Sequence, residues 1–342
     1  MWSTQCVNEA HVGFRPPHPA VKGVSVPTSR RNFLKSSLAI AALATTAGVV
    51  SACSNDDDDK NSDNSSKNDR IAAIGWGDYC TLLAMNITPT FILTPMGMDE
   101  KKDNGVGPWA SDKVKGKDIT VMAATSQEIG NDVLEKIAAA KPSKIIAVNS
   151  GLKDDEKKRL NDIAPTIVHP DKYADYQVPW DAQVKEIAKA VGKESDGDKL
   201  VSDTKKKFDD FSSSHPDLKG KKAATVIAMQ GQFAVYTSGD GRGQFIKDLG
   251  FVIPDDLNKG DNGQFYKYLS SENLSQLDEL DYLFLLDYAG SNEEAKKNPL
   301  FQNIKAVKEG NMREISQDTA TAMSLPNPLT IPWAIEQFDK AI

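Results

Sequence analysis

The stretch Arg70-Ile71-Ala72-Ala73-Ile74-Gly75-Trp76-Gly77-Asp78 decides the fold class of this chain. Its first half has the length and composition of a short buried strand, and its two glycines end that strand in a turn. A helical pattern follows directly, from Tyr79 to Met85. A strand that turns into a helix in this way predicts the opening unit of an α/β fold.

The same alternation of strand and helix continues downstream. Strands are predicted at Phe91–Leu93, Thr120–Met122, Lys144–Val148 and Thr166–Val168, with a helix at Glu128–Ala140 and another ending at Leu160. Alternating elements at this spacing predict a parallel sheet that is covered on both faces.

A second α/β block follows a long helical stretch. That stretch runs from Trp180 to about Phe211, and Gly192–Gly197 is expected to bend or interrupt it. The second block has predicted strands at Ala223–Met229, Phe233–Tyr236 and Tyr282–Leu286, and helices at Gly243–Leu249, Asn303–Glu309 and Trp333–Ile342. The chain is therefore expected to form two α/β lobes, at 70–179 and 214–342, joined by a connecting helix at 180–213.

Composition excludes several classes of protein. The chain has 342 residues, 39% of them hydrophobic and 26% charged, which is a normal globular mixture. The formal net charge of −7 argues against nucleic acid as a partner, because phosphate binding needs a basic surface. Three scattered cysteines and four scattered histidines exclude a disulfide framework and a zinc motif of the usual spacing.

The N-terminal segment has the features of an export signal. The order Ser29-Arg30-Arg31-Asn32-Phe33-Leu34-Lys35 resembles a twin-arginine signal almost position for position, and an apolar run from Leu38 to Val50 follows it. That run is shorter than the roughly 20 residues that a membrane-spanning helix needs. Residues 1–52 are therefore interpreted as a cleavable signal peptide.

The end of this segment resembles a bacterial lipoprotein box, Val50-Ser51-Ala52-Cys53. The resemblance implies that Cys53 carries a lipid anchor, which places the protein on the extracytoplasmic face of the cell membrane. Residues 53–69 are almost entirely Asn, Asp, Ser and Lys, and such a composition predicts a flexible linker. The alternative for Cys53 is a buried cysteine at the end of an ordinary helix.

Several segments of the body resemble, in family order, the solute-binding lipoproteins of iron–siderophore ABC importers. They are Gly75–Asp78, Gly107–Ala110, Val133–Pro142, Ile163–Thr166, Val235–Gly243, Leu269–Leu274 and Asn298–Leu300. The resemblance implies two Rossmann-like lobes joined by a long helix, with the ligand cleft between them. It also implies a monomer without catalysis or a resident cofactor, which captures a ferric siderophore and delivers it to the permease subunits of the importer.

Four aromatic residues are candidates for ligand contact. Trp76 follows the first strand, where an open α/β sheet has its ligand crevice. Trp109 lies in a loop bounded by glycine and proline, Tyr236 ends a strand before a glycine-rich loop, and Tyr288 follows the strand that ends at Leu286. The alternative for each of them is core packing, which is also the expectation for Trp180 and Trp333.

Arg242 is the strongest candidate for binding the oxygen atoms of a chelate. It is one of four arginines after Cys53, and it lies in Gly239-Asp240-Gly241-Arg242-Gly243. A guanidinium group can donate to several oxygens at once. The alternative is a surface arginine paired with Asp240, while a dinucleotide site is disfavoured because the full GxGxxG pattern is missing.

The family resemblance also implies docking residues. In this family one glutamate from each lobe binds an arginine pocket on a permease subunit, and Glu135 and Glu272 occupy the matching positions. The alternative is that both carboxylates lie near helix starts and interact favourably with the helix dipole.

Two other functions remain open. Haem uptake in the same fold would need a His or Tyr ligand, and His169, His215 and Tyr236 are the residues available for that role. An exported enzyme is the alternative from another class, but GxSxG, a metal-ligand cluster and a thiol pair are all missing from the sequence.

Overall fold

The computed structural model describes residues 69–229, 231–260 and 265–342. The predicted signal peptide at 1–52, the lipid-attachment residue Cys53 and all but the last residue of the predicted linker at 53–69 lie outside the described residues. No helix within the described ranges is both long and apolar enough to cross a membrane.

The first lobe contains a five-stranded parallel sheet in the order β3-β2-β1-β4-β5. Its strands are β1 (Ile71–Ala73), β2 (Phe91–Thr94), β3 (Thr120–Ala123), β4 (Lys144–Ala147) and β5 (Thr166–Val168). The helices of this lobe are α1 (Asp78–Ala84), α2 (Ser111–Val114), α3 (Asn131–Ala139) and α4 (Asp154–Ile163), with a short 3₁₀ helix at Asp103–Gly105. The strand order reverses between β1 and β4, and a crevice forms at such a point beyond the carboxyl ends of the strands.

Alternate residues of β1 belong to two different apolar cores. Ile71 and Ala73 join a cluster that continues through Val184 to Phe245 in the second lobe, whereas Ala72 and Ile74 join a smaller cluster. Successive side chains of a strand point to opposite faces of the sheet, so both faces of this sheet are covered. This covering explains why β1 is apolar at every position.

Two helices, not one, connect the sheets. The predicted connecting stretch at 180–213 consists of α5 (Trp180–Ala190) and α6 (Glu194–Ser214), and the turn between them lies at the start of the segment, Gly192–Gly197, that was expected to bend or interrupt it. Gly192 lies in that turn with φ of +67°, which glycine adopts without strain. Gly197 lies within α6 so close to α5 that a Cβ atom there would be 2.4 Å from the Cβ of Ala188. The two helices therefore pack against each other.

The second lobe contains a mixed five-stranded sheet in the order β10-β9-β6-β7-β8. Its strands are β6 (Ala223–Met229), β7 (Gln232–Tyr236), β8 (Tyr266–Ser270), β9 (Tyr282–Leu286) and β10 (Met312–Ile315). Strand β7 is antiparallel to both of its neighbours. Only two residues separate β6 from β7, and so short a connection joins antiparallel strands.

Seven helices of the described residues belong to this second lobe. They are α7 (Gly241–Asp248), α8 (Asp255–Asn258), α9 (Ser291–Lys297), α10 (Pro299–Gln302), α11 (Lys305–Lys308), α12 (Gln317–Ser324) and α13 (Thr330–Asp339). A 3₁₀ helix at Ser271–Leu277 follows β8. Helix α13 is held on the sheet by Phe338, whose ring centroid lies 4.7 Å from that of Phe284 and 6.2 Å from that of Phe211 in α6.

The architecture confirms the predicted α/β fold with two lobes. Each lobe has its own sheet. Residues from both lobes line two shared cavities.

Candidate ligand-binding site

A polar cavity of about 140 Å³ lies between the two lobes. The first lobe contributes Asn149, which follows β4, and Tyr176, which lies in the loop before α5. The second lobe contributes Asp240 and Gln244 at the start of α7, and Pro326 after α12. The cavity therefore opens at the switch point of the first sheet, where the topology predicts a crevice.

Arg242, Tyr236 and Tyr288 form a cluster with Asp240, which lines this cavity. The guanidinium carbon of Arg242 lies 3.8 Å from the centroid of the Tyr236 ring, which is the geometry of a cation–π contact. Its Nη1 donates to the hydroxyl oxygen of Tyr288 at 3.3 Å. Three of the residues predicted to contact ligand thus form one cluster.

Asp240 holds this cluster together. Its carboxylate accepts from Nε of Arg242 at 2.7 Å and from Nη2 at 2.8 Å, and it also accepts the backbone N–H of Arg242 as the N-cap of α7. The pairing with Asp240 that was considered as an alternative is present. Arg242 is nevertheless not a surface residue, because only 17% of its side chain is exposed.

The arginine keeps part of its hydrogen-bonding capacity. A guanidinium group has five N–H groups, and the bonds to Asp240 and Tyr288 use three of them. The other two have no acceptor among the described residues, and ligand contact by Arg242 stays a prediction.

Trp76 lies on the side of the first lobe. Its ring is half-buried and packs against Tyr176, with 4.8 Å between the ring centroids. Its backbone is fixed by neighbours, since its N–H donates to the carbonyl of Asn149 at 2.8 Å and its carbonyl accepts from Nε2 of Gln183 at 3.3 Å. Trp76 is therefore next to the cavity, because it contacts Tyr176 of the cavity lining, and ligand contact by Trp76 itself stays a prediction.

Asp78 fastens the turn after β1 to the rest of the lobe. Its buried carboxylate accepts from the N–H groups of Val148 and Asn149 at 2.7 and 3.3 Å, and from Nε2 of Gln183 in α5 at 2.7 Å. Burial raises the pKa of Asp78 from 3.8 to about 6, although the three hydrogen bonds act in the opposite direction. This carboxylate thus links the first sheet to the connecting helices.

Trp109 borders a second cavity, of about 360 Å³, between the lobes. The side chain is only 8% exposed, and its ring meets that of Trp333 in α13 edge-on, with 5.7 Å between the centroids. Packing therefore accounts for most of the surface of Trp109, and only a small part of it lies at the cavity. Ligand contact by Trp109 stays a prediction.

One hydrogen bond connects the residue after Tyr288 to the lining of the second cavity. The N–H of Ala289, next to Tyr288, donates to Oε1 of Gln317 at 3.3 Å, and Gln317 lines this cavity. Lys102 of the first lobe and Asp318 of α12 form an ion pair of 2.7 Å at its border. Both cavities lie between the lobes, and Asp240 in the first and Gln317 in the second connect them to the Arg242 cluster, so we treat them together as the candidate ligand-binding cleft.

The two candidate docking carboxylates are both exposed. Glu135 lies in the second turn of α3, and Glu272 lies in the first turn of the 3₁₀ helix at Ser271–Leu277. A helix-dipole role therefore suits Glu272 but not Glu135. Neither carboxylate has an ion-pair partner in the part of the chain that the structure describes.

Several cleft residues were not predicted from the sequence: Lys102, Asn149, Tyr176, Gln183 and Asp318. Tyr176 has φ of +59° in a loop without periodicity, so no strand or helix pattern marks it. Asn149 could have been found, because it follows a predicted strand at the same sheet edge as Trp76.

Comparison with known proteins shows the family. A family model described as periplasmic binding protein matches residues 99–319. The chain belongs to this family. A second model, for the twin-arginine translocation signal sequence, matches residues 27–47 and confirms the predicted export signal. The protein is therefore exported from the cytoplasm.

Two curated relatives come from Bacillus subtilis strain 168. The Fe(3+)-citrate-binding protein YfmC is 33% identical, over 67% of this chain and 69% of its own length. The probable siderophore-binding lipoprotein YfiY is 27% identical, over 78% of this chain and 86% of its own length.

Solved structures share the fold. Streptococcus pneumoniae TIGR4 PiaA in complex with ferrichrome is 28% identical with a TM-score of 0.66, covering 79% of this chain and 90% of that one. A periplasmic solute binding protein of Mycobacterium smegmatis has a TM-score of 0.68 over 79% of this chain and 90% of its own; at 23% identity it supports the fold alone.

Proposed function

We propose that this protein captures a ferric siderophore outside the cytoplasm and delivers it to an ABC importer. The cleft between the lobes carries the proposal, because Asp240 of the Arg242 cluster lines it from one lobe and Tyr176, which packs against Trp76, lines it from the other. A ferric siderophore is a bulky, partly apolar complex with oxygen atoms at its surface. Aromatic walls and an arginine with free N–H groups suit such a ligand. The names of the relatives and of the ferrichrome-bound structure support the same ligand class.

Binding without catalysis is part of the proposal. Among the described residues, no three His, Cys, Asp or Glu side chains are grouped so that they could hold a metal ion. Burial raises the pKa of the Cys80 thiol to about 12, and a thiol that stays protonated is a poor nucleophile. These observations favour a binding protein over the alternative of an exported enzyme.

Haem is a less suitable ligand for this cleft. A tyrosine binds ferric haem as the phenolate, but burial raises the pKa of Tyr236 and its ring lies beneath the Arg242 guanidinium. His169 and His215 are paired with Asp175 and Asp339, at 3.1 and 3.0 Å. Neither histidine lines the cavities at the cleft.

Fluorescence titration tests the proposed ligand class. The purified chain from residue 70 onward is titrated with ferric siderophores, with the iron-free siderophores and with haem. We expect saturable quenching of tryptophan fluorescence by at least one ferric siderophore, because Trp180 and Trp109 line the two cavities of the cleft. Tight stoichiometric binding of haem with a shifted Soret band, together with no response to any ferric chelate, would contradict the proposal.

Anchoring and delivery complete the proposal. The lipoprotein box supports attachment of the exported chain to the membrane through Cys53, and YfiY is named as a probable lipoprotein. Two exposed carboxylates without ion-pair partners among the described residues, Glu135 and Glu272, are proposed to dock the two lobes on the permease subunits. We propose a monomer, which presents one such carboxylate per lobe.

A further inference from the structure

The charges that border the cleft do not favour an anionic ligand. The residues that line its two cavities include four carboxylates, those of Asp99, Asp103, Asp240 and Asp318. The cations at the same place are Lys102, which lines the second cavity, and Arg242, which is bonded to Asp240. Four carboxylates against two cations leave the cleft with a formal net charge of −2.

Both cations are already neutralised by partners within the cleft. Arg242 forms two charge-assisted hydrogen bonds with Asp240, and Nζ of Lys102 lies 2.7 Å from Asp318. An arginine paired in this way can still donate hydrogen bonds to oxygen atoms, but it adds little net attraction for a negative charge.

Asp99 and Asp103 are compensated only in part, because the cation that acts on both of them, Lys102, is already paired with Asp318. Asp99 accepts the backbone N–H of Lys101 at 2.8 Å, and neither carboxylate forms an ion pair with another described residue. Both lie on the loop between β2 and α2, on the side of the first lobe. Asp99 is exposed and Asp103 is half-buried, and because both line the second cavity they add negative charge next to whatever occupies it.

We infer that the ligand is a ferric chelate without net negative charge, of the hydroxamate type. Three singly charged hydroxamates balance the charge of one ferric ion, so such a complex is neutral, or cationic when its backbone carries an amine. Three doubly charged catecholates leave an anion, and ferric citrate is also anionic. Like charges at an interface oppose binding, so this cleft disfavours the last two. The inference rests on the proposed function and narrows its ligand class.

A panel of chelates graded by charge tests the inference at low ionic strength. It contains a cationic ferric trihydroxamate, the neutral trihydroxamate ferrichrome, ferric citrate and a ferric tricatecholate, and dissociation constants come from fluorescence titration. We expect both trihydroxamates to bind at least tenfold more tightly than either anionic complex. Tighter binding of ferric citrate or of the tricatecholate would overturn the inference but keep the proposed function, whereas no binding of any ferric chelate would overturn both.

Charge variants show whether the two aspartates cause the selectivity. The double variant Asp99→Asn/Asp103→Asn keeps the acceptor oxygens, and asparagine tolerates the left-handed backbone of Asp103. For each charge removed we expect roughly fivefold weaker binding of the cationic complex. Binding of the neutral complex should stay the same and binding of the anionic complexes should tighten.

The matched control is Asp162→Asn/Asp209→Asn, which removes the same charge from exposed positions on α4 and α6. It should leave all four dissociation constants within twofold of the wild-type values. An equal response of the two double variants would assign the effect to the overall charge of the protein and overturn the role of the cleft.

Discussion

The side chain of Arg242 is held in one position by its neighbours. Asp240 is the N-cap of α7 and accepts two further hydrogen bonds from the guanidinium, and the ring of Tyr236 makes a cation–π contact with it. A side chain ordered in advance loses little conformational entropy on binding. If Arg242 binds the oxygen atoms of a chelate, as we propose, little entropy is therefore lost in ordering its side chain.

Replacement of this arginine measures its contribution to affinity. Arg242→Ala should weaken binding of the ferric siderophore by about ten- to a hundredfold, since a charge-assisted contact is worth roughly 1.5–3 kcal/mol. Arg242→Lys should recover only part of the loss, because an ammonium group cannot replace the planar fork. Fluorescence titration checks both variants.

The matched control is Arg313→Ala. Arg313 lies on β10, its side chain donates to the carbonyl of Gly310, and it does not line either cavity. It should bind ligand like the wild type. If a folded Arg242→Ala protein binds the ligand with an affinity within twofold of the wild type, Arg242 has only a structural role as the ion-pair partner of Asp240.

Asp78 should make the free energy of unfolding fall as the pH rises, which is the opposite of the usual effect of a carboxylate. Its pKa is about 6 in the folded protein against 3.8 as the ordinary value, so the folded state binds the proton more tightly than the unfolded chain. The stability from this group is therefore greatest at low pH and falls as the pH rises from 3.8 to about 6. At 1.36 kcal/mol for each pKa unit, the total change is on the order of 3 kcal/mol.

Urea unfolding of the wild type and of Asp78→Asn measures this effect. The free energy of unfolding of the wild type minus that of the variant should fall as the pH rises through this window, because asparagine does not titrate. A difference that stays constant with pH would show that Asp78 keeps an ordinary pKa in the folded protein.

At the scale of elements, α7 depends on one glycine for its position. A Cβ atom on Gly243 would lie 2.0 Å from the carbonyl oxygen of Thr237, which is backbone and cannot rotate away. Gly243→Ala should therefore displace the start of α7, lower the unfolding free energy by about 1–3 kcal/mol and weaken ligand binding through Arg242.

Gly239→Ala is the control within the same loop. A Cβ atom there would meet only the hydroxyl of Thr237, at 3.4 Å, which is an ordinary contact. Thermal unfolding and fluorescence titration of both variants test the difference. Equal stability and affinity for the two variants would show that the approach of α7 to Thr237 does not position the arginine.

The buried strands and the edge strands of the first sheet, β3 and β5, could be predicted from sequence, but the edge strands of the second sheet could not. Strand β9 is apolar at all five positions, and its predicted range of Tyr282–Leu286 matches the structure. Strands β8 and β10 lie at the two edges of the second sheet, where lysine, glutamate and arginine interrupt the apolar pattern. An edge strand has one side without a neighbour, so its residues carry a weaker signal.

The same contrast holds for the candidate site. Arg242 and Tyr236 could be predicted because a strand, a glycine-rich loop and a helix start mark them in sequence. The packing of Trp109 against Trp333 could not, because the two residues lie far apart in the chain and only the fold brings them together. Lys102 and Tyr176 lie on loops, and a loop has no periodicity that would indicate whether a side chain faces the cleft.

For the whole molecule, export and anchoring can be separated by mutation. Replacing Arg30 and Arg31 by lysine should block export, because the twin-arginine signal matched at residues 27–47 depends on that pair. Cys53→Ala should allow export but release the protein from membranes, since the thiol that carries the lipid is lost. Fractionation of cells followed by detection of the protein measures both effects. Retention of the Cys53→Ala protein in the membrane fraction would contradict the proposed anchor.

Delivery should depend on one carboxylate from each lobe. A permease built from two related subunits presents two similar basic pockets, so a partner with two lobes docks best with one anion on each. Glu135 and Glu272 are exposed and have no ion-pair partner among the described residues, which leaves both free for such contacts. Removing a carboxylate from a desolvated contact leaves an unpaired charge on the partner, and this can cost several kcal/mol, roughly 2–5.

The double variant Glu135→Ala/Glu272→Ala should therefore abolish uptake of ferric siderophore by cells while its affinity for the ligand stays unchanged. Uptake of labelled iron and fluorescence titration of the purified variant measure the two quantities separately. Glu194→Ala/Glu309→Ala, which removes two other exposed carboxylates, one from the first turn of α6 and one after α11, should leave both quantities at the wild-type level. Normal uptake by the Glu135/Glu272 double variant would mean that delivery uses another surface, and a parallel loss of ligand affinity would mean that these residues act on the cleft and not on the permease.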